Sequence, residues 1–499
     1  MHPLLNDDVL RRVFDFPKQA RDNPTLVRSA QVSRAFSEPA LDALWDVTDL
    51  LRLVRLLDVL STVHSVRNYG LPLTKYVVEK EPSPEQWERF HSYARRVHSL
   101  YISISLFDSK DPSAVAALII ERSRIQVLFP SLLHLSWESG SPAPELLRLV
   151  GCVVTQSVSS LQSVRLQGRG GVSIHDPQAL QQFESMLHTL TTKAPFLHTL
   201  ELYTHYLLSL QSLPPCQRLR RFVCPCTTLS GLLQYCGHIE SLSSLEVAGI
   251  YGEEDVIPAC IGFPSLRTLR LVEGRIVNFI PLLNAITSPH LGSVQISAFT
   301  VGSWRDFRVC FNVLPRNFCS SLRVLWLWGI PYKLDNDSPS FGFLIEPLLH
   351  LHQLEELILN LDIHPTNPPS CVLTDRDTHD MASAWPKLTQ LWLYLRLAAA
   401  PSVYCLATFA QKCPLLKRLG ILCNGMHDTP YPELPETPHP CDARNVRLSW
   451  TQLVITDSPR LARFIIDWFP NIDLQDVRDR RQISSEFLQL LEMFQAAAS

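Results

Sequence analysis

The sequence predicts an α/β solenoid, in which short parallel strands alternate with helical or irregular crossovers, preceded by a module of three helices. Three observations support this prediction. About 80 of the 499 residues are leucine and 46% are hydrophobic, which favours extensive apolar burial and excludes a disordered chain. An apolar-x-x-apolar-x-apolar motif recurs along most of the chain. The first 60 residues lack that motif and instead show apolar residues at helical spacing.

Charge and composition exclude several classes of function. The formal net charge is −3, which argues against a protein that grips nucleic acid or an anionic membrane surface, so neither is expected as a partner. The chain has 37 prolines but only 18 glycines. A glycine-poor chain has little material for loops that cradle phosphate groups.

The sequence also predicts an intracellular protein, cytoplasmic or nuclear or both. The first residues, MHPLLNDDVLRRVFDF, lack the apolar run of a signal peptide, and no apolar stretch reaches the roughly 18 residues of a membrane span. The 13 cysteines include no CxxC pair. We therefore expect reduced, mostly buried thiols.

Thirteen copies of the apolar motif follow one another. They begin at Val97, Leu132, Leu161, Leu197, Leu219, Leu242, Leu266, Leu291, Leu322, Leu354, Leu388, Leu416 and Leu461. Because strand side chains alternate, motif residues four and six should point inward, and residues three, five and seven toward the other face. The residues between motifs return the chain in parallel, and neighbouring repeats must stack to bury the inward face.

This pattern resembles the leucine-rich repeat, whose signature begins LxxLxL. The repeats are irregular: successive motifs lie 22 residues apart at Leu197 and Leu219 but 45 apart at Leu416 and Leu461. The Asn or Cys that usually follows the sixth position is mostly missing. The resemblance implies an irregular horseshoe of parallel strands.

The N-terminal residues read as three short helices. Apolar residues occupy one stripe at Val9, Leu10, Val13 and Phe14. Asn23 and Pro24 form an N-cap and first-turn signal for a second helix, and Glu38-Pro39 opens a third. Phenylalanine and tryptophan side chains would anchor the small core of this module.

Residues 5 to 45 resemble an F-box, in particular those of fungal F-box proteins with irregular leucine-rich repeats. The matching segments are Leu5 with the first helix, Val32-Ser33-Arg34-Ala35-Phe36 and Leu44-Trp45; Asn6, Asp8 and Ser33 depart from the family pattern. The resemblance implies an adaptor-binding set of Leu5, Val9, Leu10, Val13, Phe14, Leu26, Val32, Phe36, Leu44 and Trp45.

The F-box resemblance implies a non-catalytic receptor. Its partners would be a Skp-type adaptor, through it a cullin scaffold, and a protein substrate of unknown identity held by the repeats. Two alternatives stay open: the helical region caps the end of the solenoid, or the chain is a scaffold outside any ligase with a degenerate F-box.

Four segments are expected along the chain. These are an F-box-like module at 1–60, a helical connector and cap at 61–96, irregular leucine-rich repeats at 97–483 and a capping helix at 484–499. In the connector, Ser83-Pro84-Glu85-Gln86 has the pattern of a capping box that starts a helix. We expect that helix to join the module and the repeats through ordered structure.

The column of fifth motif residues predicts the substrate surface. It is mostly polar until the strands that begin at Leu322, Leu354 and Leu388, where it becomes aromatic. The predicted substrate-binding residues are Trp326, Trp328, Ile358, Trp392 and Tyr394. Adjacent strands lie about 4.8 Å apart, so these side chains would form one exposed patch. The alternative is that the insertions Pro331–Ser340 and Pro365–Cys371 cover it.

No motif for catalysis, a metal or a cofactor emerges. The chain has no P-loop, HExxH, GxSxG or EF-hand pattern. Cys224, Cys226, Cys236 and His238 could be drawn as a zinc site, but Cys224 already occupies an inward strand position. We therefore expect neither a cofactor nor a metal, and interpret Gly425–Asn445, with its five prolines, as an exposed loop.

Overall fold

The computed structural model divides the chain into two compact units. The first contains Met1–Thr227 and Gln234–Leu242, and the second contains Thr228–Leu233 and Ser243–Ser499. The residues described are 7–20, 22–66, 72–103, 113–139, 144–168, 177–203, 210, 213–225, 227–250, 262–301, 304–331, 340–361, 371–395, 397–423, 447–449, 458–470, 472, 474 and 485–498.

The first unit begins with helices and continues as strand–helix repeats. Its helices are α1 (Asp7–Gln19), α2 (Asn23–Val32), α3 (Arg34–Trp45), α4 (Leu50–Val54), α5 (Pro84–Ala94), α6 (Ser113–Ser123), α7 (Pro144–Ser157) and α8 (Pro177–Lys193). Its strands are β1 (Val47–Asp49), β2 (Leu60–Val66), β3 (Pro72–Val78), β4 (Ser99–Ser103), β5 (His134–Ser139), β6 (Ser163–Gly168), β7 (Thr199–Tyr203) and β8 (Arg221–Cys224). Helix α9 (Leu229–Cys236) includes residues of both units.

The second unit continues the same alternation. Its strands are β9 (Ser244–Val247), β10 (Thr268–Leu271), β11 (Gly274–Arg275), β12 (Ser293–Val301), β13 (Val324–Pro331), β14 (Glu356–Leu361), β15 (Cys371–Val372), β16 (Gln390–Leu395), β17 (Leu397–Ala399), β18 (Arg418–Gly420) and β19 (Arg447–Ser449). Its helices are α10 (Ile276–Ala285), α11 (Trp304–Phe318), α12 (Phe341–Ile345), α13 (Asp375–Ala384), α14 (Tyr404–Lys412), α15 (Ser458–Trp468) and α16 (Ser485–Ala498).

Within each unit the motif strands form a parallel ladder. The order among the described residues is β1-β4-β5-β6-β7-β8 in the first unit and β9-β10-β12-β13-β14-β16-β18-β19 in the second. The third residue of each motif aligns with that of the next, as when Ser99 pairs with His134 and His134 with Ser163. Equivalent side chains therefore form columns across the strands.

The motifs predict both the strands and their inward face. Twelve of the thirteen motifs, those from Val97 to Leu416, contain a strand that begins at the third residue. Their fourth and sixth residues are all buried, and the most exposed of them, Leu393, is 5% exposed. Burying a leucine is worth about 1.5–3 kcal/mol, so these two columns and the first-position leucines supply much of the core.

The thirteenth motif was wrongly predicted as a strand. Leu461 lies in helix α15. Leu461, Phe464, Ile465 and Trp468 are buried and recur at i, i+3, i+4 and i+7, which is the spacing of a helix face. The same residues fit both the strand motif and the spacing of a helix face. In the structure they form α15, which packs against α14 and α16.

The three N-terminal helices pack against one another, with two differences from their predicted starts. Asp22, not Asn23, caps α2, because its carboxylate accepts from the Thr25 amide. Helix α3 begins at Arg34 after the cap residue Ser33, and Pro39 lies inside it. Serine and aspartate compete well as caps because a short side-chain oxygen reaches the free amides of the first turn.

The connector contains the predicted capping box. The Gln86 amide donates to Ser83 Oγ at 3.3 Å, and the Ser83 amide donates to Gln86 Oε1 at 2.7 Å. Helix α5 then buries Trp87 and Phe90. The antiparallel pair β2 and β3 was not predicted.

At the C-terminus, the predicted helix is α16, which begins at Ser485 and buries Phe487 and Leu491. No helix among the described residues is both long and apolar enough to cross a membrane. Several sequence predictions concern residues outside those described, namely Leu5, Cys226, the Gly425–Asn445 loop and most of Pro331–Ser340 and Pro365–Cys371.

Candidate protein-interaction surfaces

The aromatic surface comprises Trp326, Trp328, Ile358, Trp392 and Tyr394 in the second unit. The parallel register brings these five side chains together. Trp326 pairs with Ile358 and Ile358 with Trp392 across β13, β14 and β16. Two residues further along each strand, Trp328 and Tyr394 flank Asn360. The predicted columns of fifth and seventh motif residues are therefore both present.

The five side chains of the aromatic surface differ in exposure. We call the exposed Trp328 and Tyr394 its rim, and the half-buried Trp326 with the buried Ile358 and Trp392 its floor. Trp328 is 46% exposed and Tyr394 is 37% exposed, whereas Trp392 is 6% and Ile358 is 7% exposed. The expectation that Ile358 and Trp392 are exposed was wrong. Ile358 is flanked by two larger tryptophan side chains, so its neighbours cover it.

Ring stacking explains how the floor is covered. The rings of Trp326 and Trp328 are stacked with centroids 6.1 Å apart, and those of Trp392 and Tyr394 are stacked at 5.5 Å. Residues i and i+2 share one face of a strand, so each rim ring lies beside a floor ring. Trp392 also packs on Gly420 of β18, where a Cβ atom would collide with the indole. The surface is thus an apolar floor with two aromatic rims and an amide between them.

The same strand face is charged elsewhere in the second unit. Glu246 and Arg270 occupy adjacent fifth positions, and Arg270 Nη1 lies 3.5 Å from Glu246 Oε2. Opposite charges that face each other on adjacent strands stabilise a sheet modestly, by roughly 0.2–1 kcal/mol per pair. The aromatic surface is therefore a change of chemistry along one face of the unit.

The first unit presents a polar version of this face. Glu201 lies between two arginines: Arg221 Nε donates to its Oε1 at 2.6 Å, and Arg165 Nε lies 3.7 Å from Oε2. Burial opposes the charge of the Arg221 guanidinium, but hydrogen bonding to Glu201 outweighs it and raises the Arg221 pKa. Arg165 also lies over the Tyr203 ring at 5.0 Å. The fifth-residue column read from the sequence contains Arg165 and Glu201 but not Arg221, which is a third motif residue. The ion pairs were not predicted.

On the N-terminal helices, the predicted adaptor-binding residues separate by burial. Those that form the module's own core are Leu10, Phe14, Leu26, Leu44 and Trp45, each at most 6% exposed. Val9, Val13 and Val32 are 39%, 50% and 69% exposed, and Phe36 is half-buried. The single predicted stripe on α1 is thus two stripes, because Leu10 and Phe14 are buried in the module while Val9 and Val13 face outward.

A further exposed residue extends the outer stripe of α1. Phe16 is 75% exposed and lies seven residues after Val9 and three after Val13, which places all three on one side of the helix. Its helical spacing could have indicated this role, but the sequence prediction omitted it. We call Val9, Val13 and Phe16 the outer stripe.

Ion pairs attach α3 to the start of the repeats. Arg96, with a side chain 7% exposed, binds Glu38 at 2.6 Å and also pairs with Asp42. Burial opposes the charge on Arg96, but its hydrogen bonds to these carboxylates outweigh that and raise its pKa. Lys18 and His98 both contact Asp46. These groups line a cleft of about 570 Å³, in which the ion pairs place acidic beside basic side chains.

The described residues contain no group of three His, Cys, Asp or Glu side chains placed to hold a metal ion. Cys224 is fully buried at the inward strand position, as predicted. Burial raises the pKa of Cys216 to about 11 and those of Cys310 and Cys371 to about 12. These three thiols are therefore protonated at neutral pH.

Parallel strands that start at the third residue of LxxLxL, with helices on the return path, give each unit the architecture of an α/β solenoid. No family model matches the sequence, and no curated protein matches it. Among solved structures, a leucine-rich-repeat protein of Leptospira interrogans is similar at a TM-score of 0.33 and 12% identity, covering 79% of this chain and 74% of the other. A Bacteroides fragilis protein is similar at 0.33 and 13%, covering 71% and 91%.

Proposed function

We propose that this chain is the substrate-recognition subunit of a Skp/cullin/F-box ubiquitin ligase. In this proposal the N-terminal helices bind a Skp-type adaptor, the repeats bind a protein substrate, and the chemistry of ubiquitin transfer belongs to the partners. The observation that carries the proposal is the outer stripe of α1, three exposed apolar side chains on a module whose own core is already formed by other residues.

The geometry of the attachment supports a receptor role. A receptor must hold its substrate at a set position relative to the adaptor. Helix α3 is fixed to the residues after α5 by Arg96, and Trp45 packs against Tyr93 with ring centroids 4.8 Å apart. Contacts of this kind oppose bending between the module and the first repeats.

The aromatic surface supports the assignment of substrate binding to the second unit. Its rim residues Trp328 and Tyr394 are exposed, uncharged and placed in register on either side of β14. Tryptophan and tyrosine are enriched at the residues that dominate binding energy in protein interfaces.

Adaptor binding tests the proposal. The purified chain should bind a Skp-type adaptor, and Val13→Asp with Phe16→Asp should weaken the Kd at least about 30-fold, because losing an interface anchor costs about 2 kcal/mol or more. Both residues are exposed, so circular dichroism and the Tm should be unchanged. Leu10 and Trp45 are poor targets, since replacing either buried side chain would test folding instead.

The matched control is Ile125→Asp with Val127→Asp, which places the same two charges on apolar residues of the first unit that are 76% and 47% exposed. It should leave adaptor binding unchanged. Unchanged affinity of the Val13/Phe16 variant would contradict the assigned surface. Absence of binding by the unmodified chain would favour the alternative, a leucine-rich-repeat scaffold outside any ligase with a degenerate F-box.

A further inference from the structure

Two buried cysteines of the second unit lie side by side. Cys405 is in the first turn of α14, and Cys423 follows β18 by three residues. Their sulfur atoms are 3.2 Å apart, and the residues are 1% and 3% exposed. The Cys423 thiol also donates to the Ile421 carbonyl oxygen at 3.9 Å. The thiol of Cys413, the residue after α14, donates to the carbonyl oxygens of Ala382 and Trp385.

We propose that Cys405 and Cys423 are a site of oxidative modification, at which a hydroperoxide converts the two thiols into one disulfide. The separation exceeds the roughly 2.05 Å of a disulfide bond, so the pair is reduced in this structure. Its sulfurs are nevertheless already neighbours. The inference is independent of the proposed ligase function.

The reaction balances with one hydroperoxide per disulfide. The Cys423 sulfur attacks the terminal peroxide oxygen, and the O–O bond and the thiol S–H bond break. The thiol proton passes to the departing oxygen, so that Cys423 becomes a sulfenic acid and the peroxide leaves as water or an alcohol. The Cys405 sulfur then attacks the Cys423 sulfur, and the S–O bond breaks. The displaced hydroxide takes the Cys405 proton and leaves as water. Two thiols have lost two electrons, and the hydroperoxide has gained them.

The position of the bond gives it a structural effect. It would tie α14 to the chain just beyond β18, the strand whose Gly420 supports Trp392. Closing a loop between residues 405 and 423 restricts the unfolded chain. The oxidised form should therefore unfold at a higher temperature, by roughly 5 °C.

Peptide mapping of the full chain tests the site. The reduced protein is treated with hydrogen peroxide, its remaining thiols are alkylated in denaturant, and its peptides are analysed by mass spectrometry before and after reduction. We expect a linked Cys405–Cys423 peptide in the unmodified chain and in Cys413→Ser. In Cys405→Ser, the linked peptide should be absent.

The exposed Cys319 serves as an internal indicator that the oxidant has acted. If Cys319 is oxidised while Cys405 and Cys423 are both recovered as alkylated thiols, the proposal is overturned. Linkage of Cys423 to another cysteine in the unmodified chain would overturn it too. Circular dichroism of each variant before oxidation confirms that the comparison is made between folded proteins.

Discussion

At the residue scale, the aromatic surface depends on Gly420, where the absence of a side chain leaves room for an indole ring. Trp392 lies over Gly420 so closely that any side chain there would collide with the indole. Gly151, in α7, has no atom near the position of an added Cβ. The two glycines therefore offer a matched comparison of the same substitution.

Gly420→Ala should lower the free energy of unfolding by about 1–3 kcal/mol, because the new methyl group overpacks the Trp392 site. Gly151→Ala should instead raise it by roughly 0.5–1 kcal/mol, because alanine loses less backbone entropy in a helix. Urea unfolding monitored by fluorescence measures both. If Gly420→Ala left the free energy of unfolding unchanged, Trp392 would not pack against β18.

Single-residue burial was the least predictable feature of the chain. Leu10 and Phe14 follow Val9 and Val13 by one position each, and helical spacing alone does not say which pair faces a neighbouring helix. Ile358 was expected at the surface because strand alternation places it there. Its burial depends on the size of the side chains across the strands, which the sequence of one strand does not contain.

At the element scale, α5 and α6 meet through a histidine that must be neutral. Arg122 Nε donates to His91 Nε2 at 3.4 Å, and the Arg122 guanidinium lies over the Trp87 ring at 5.1 Å. Burial, and then the charge of Arg122, lowers the His91 pKa below its ordinary 6.5. The neutral imidazole is therefore the form that the fold stabilises.

This predicts an acid-sensitive contact. A histidine whose pKa is lowered by folding contributes stability that is complete above about pH 6.5 and is lost as the pH falls through the folded-state pKa. The Tm should fall less between pH 7.5 and pH 5 in His91→Gln than in the unmodified chain. Burial and then His198 lower the pKa of His134 in the same sense, so the variant should reduce the acid effect without removing it.

The control for this prediction is His352→Gln, at an exposed position in the second unit. It should leave the difference in Tm between the two pH values as large as in the unmodified chain. An equal fall in Tm for His91→Gln and the unmodified protein would show that the α5–α6 contact does not titrate.

The strands that follow the repeat motif were easier to predict than the two segments, β1 and the motif at Leu461, that depart from it. LxxLxL identified the repeat strands because its inward positions meet the same requirement in every repeat, namely an apolar side chain with neighbours on both sides. Strand β1 escaped because it has three residues, of which Thr48 alone is buried. The motif at Leu461 was wrongly predicted as a strand because, over six residues, one apolar pattern fits either a strand or a helix.

At the scale of the whole molecule, the units share a folding pattern but differ in the chemistry of the strand face. The first unit carries alternating charges around Glu201, whereas the second carries both an ion pair and the aromatic surface. Core positions four and six are apolar in both. Recognition can therefore differ along the chain without a change in the residues that fold it.

We expect Trp328→Ala with Tyr394→Ala to reduce substrate capture at least about tenfold, because the exposed rim rings would be the anchors of the interface. The measurement is quantitative mass spectrometry of proteins that co-purify with the chain while the proteasome is blocked. The matched control is Leu415→Ala with Met493→Ala, two apolar residues of the second unit that are 55% and 56% exposed. Equal substrate capture by the two double variants, with unchanged Tm, would exclude the aromatic surface as the substrate-binding site.

Strand β1 affects how the N-terminal helices can be removed. It follows α3 by one residue, and the Asp46 carbonyl and β1 together pair with the start of β4. A deletion of residues 1–49 would leave the β4 edge with unpaired amides and carbonyls, and such edges promote aggregation. It would also leave the buried Arg96 without Glu38 and Asp42. Truncation would thus confuse loss of adaptor binding with damage to the repeats, whereas substitutions in the outer stripe separate the two.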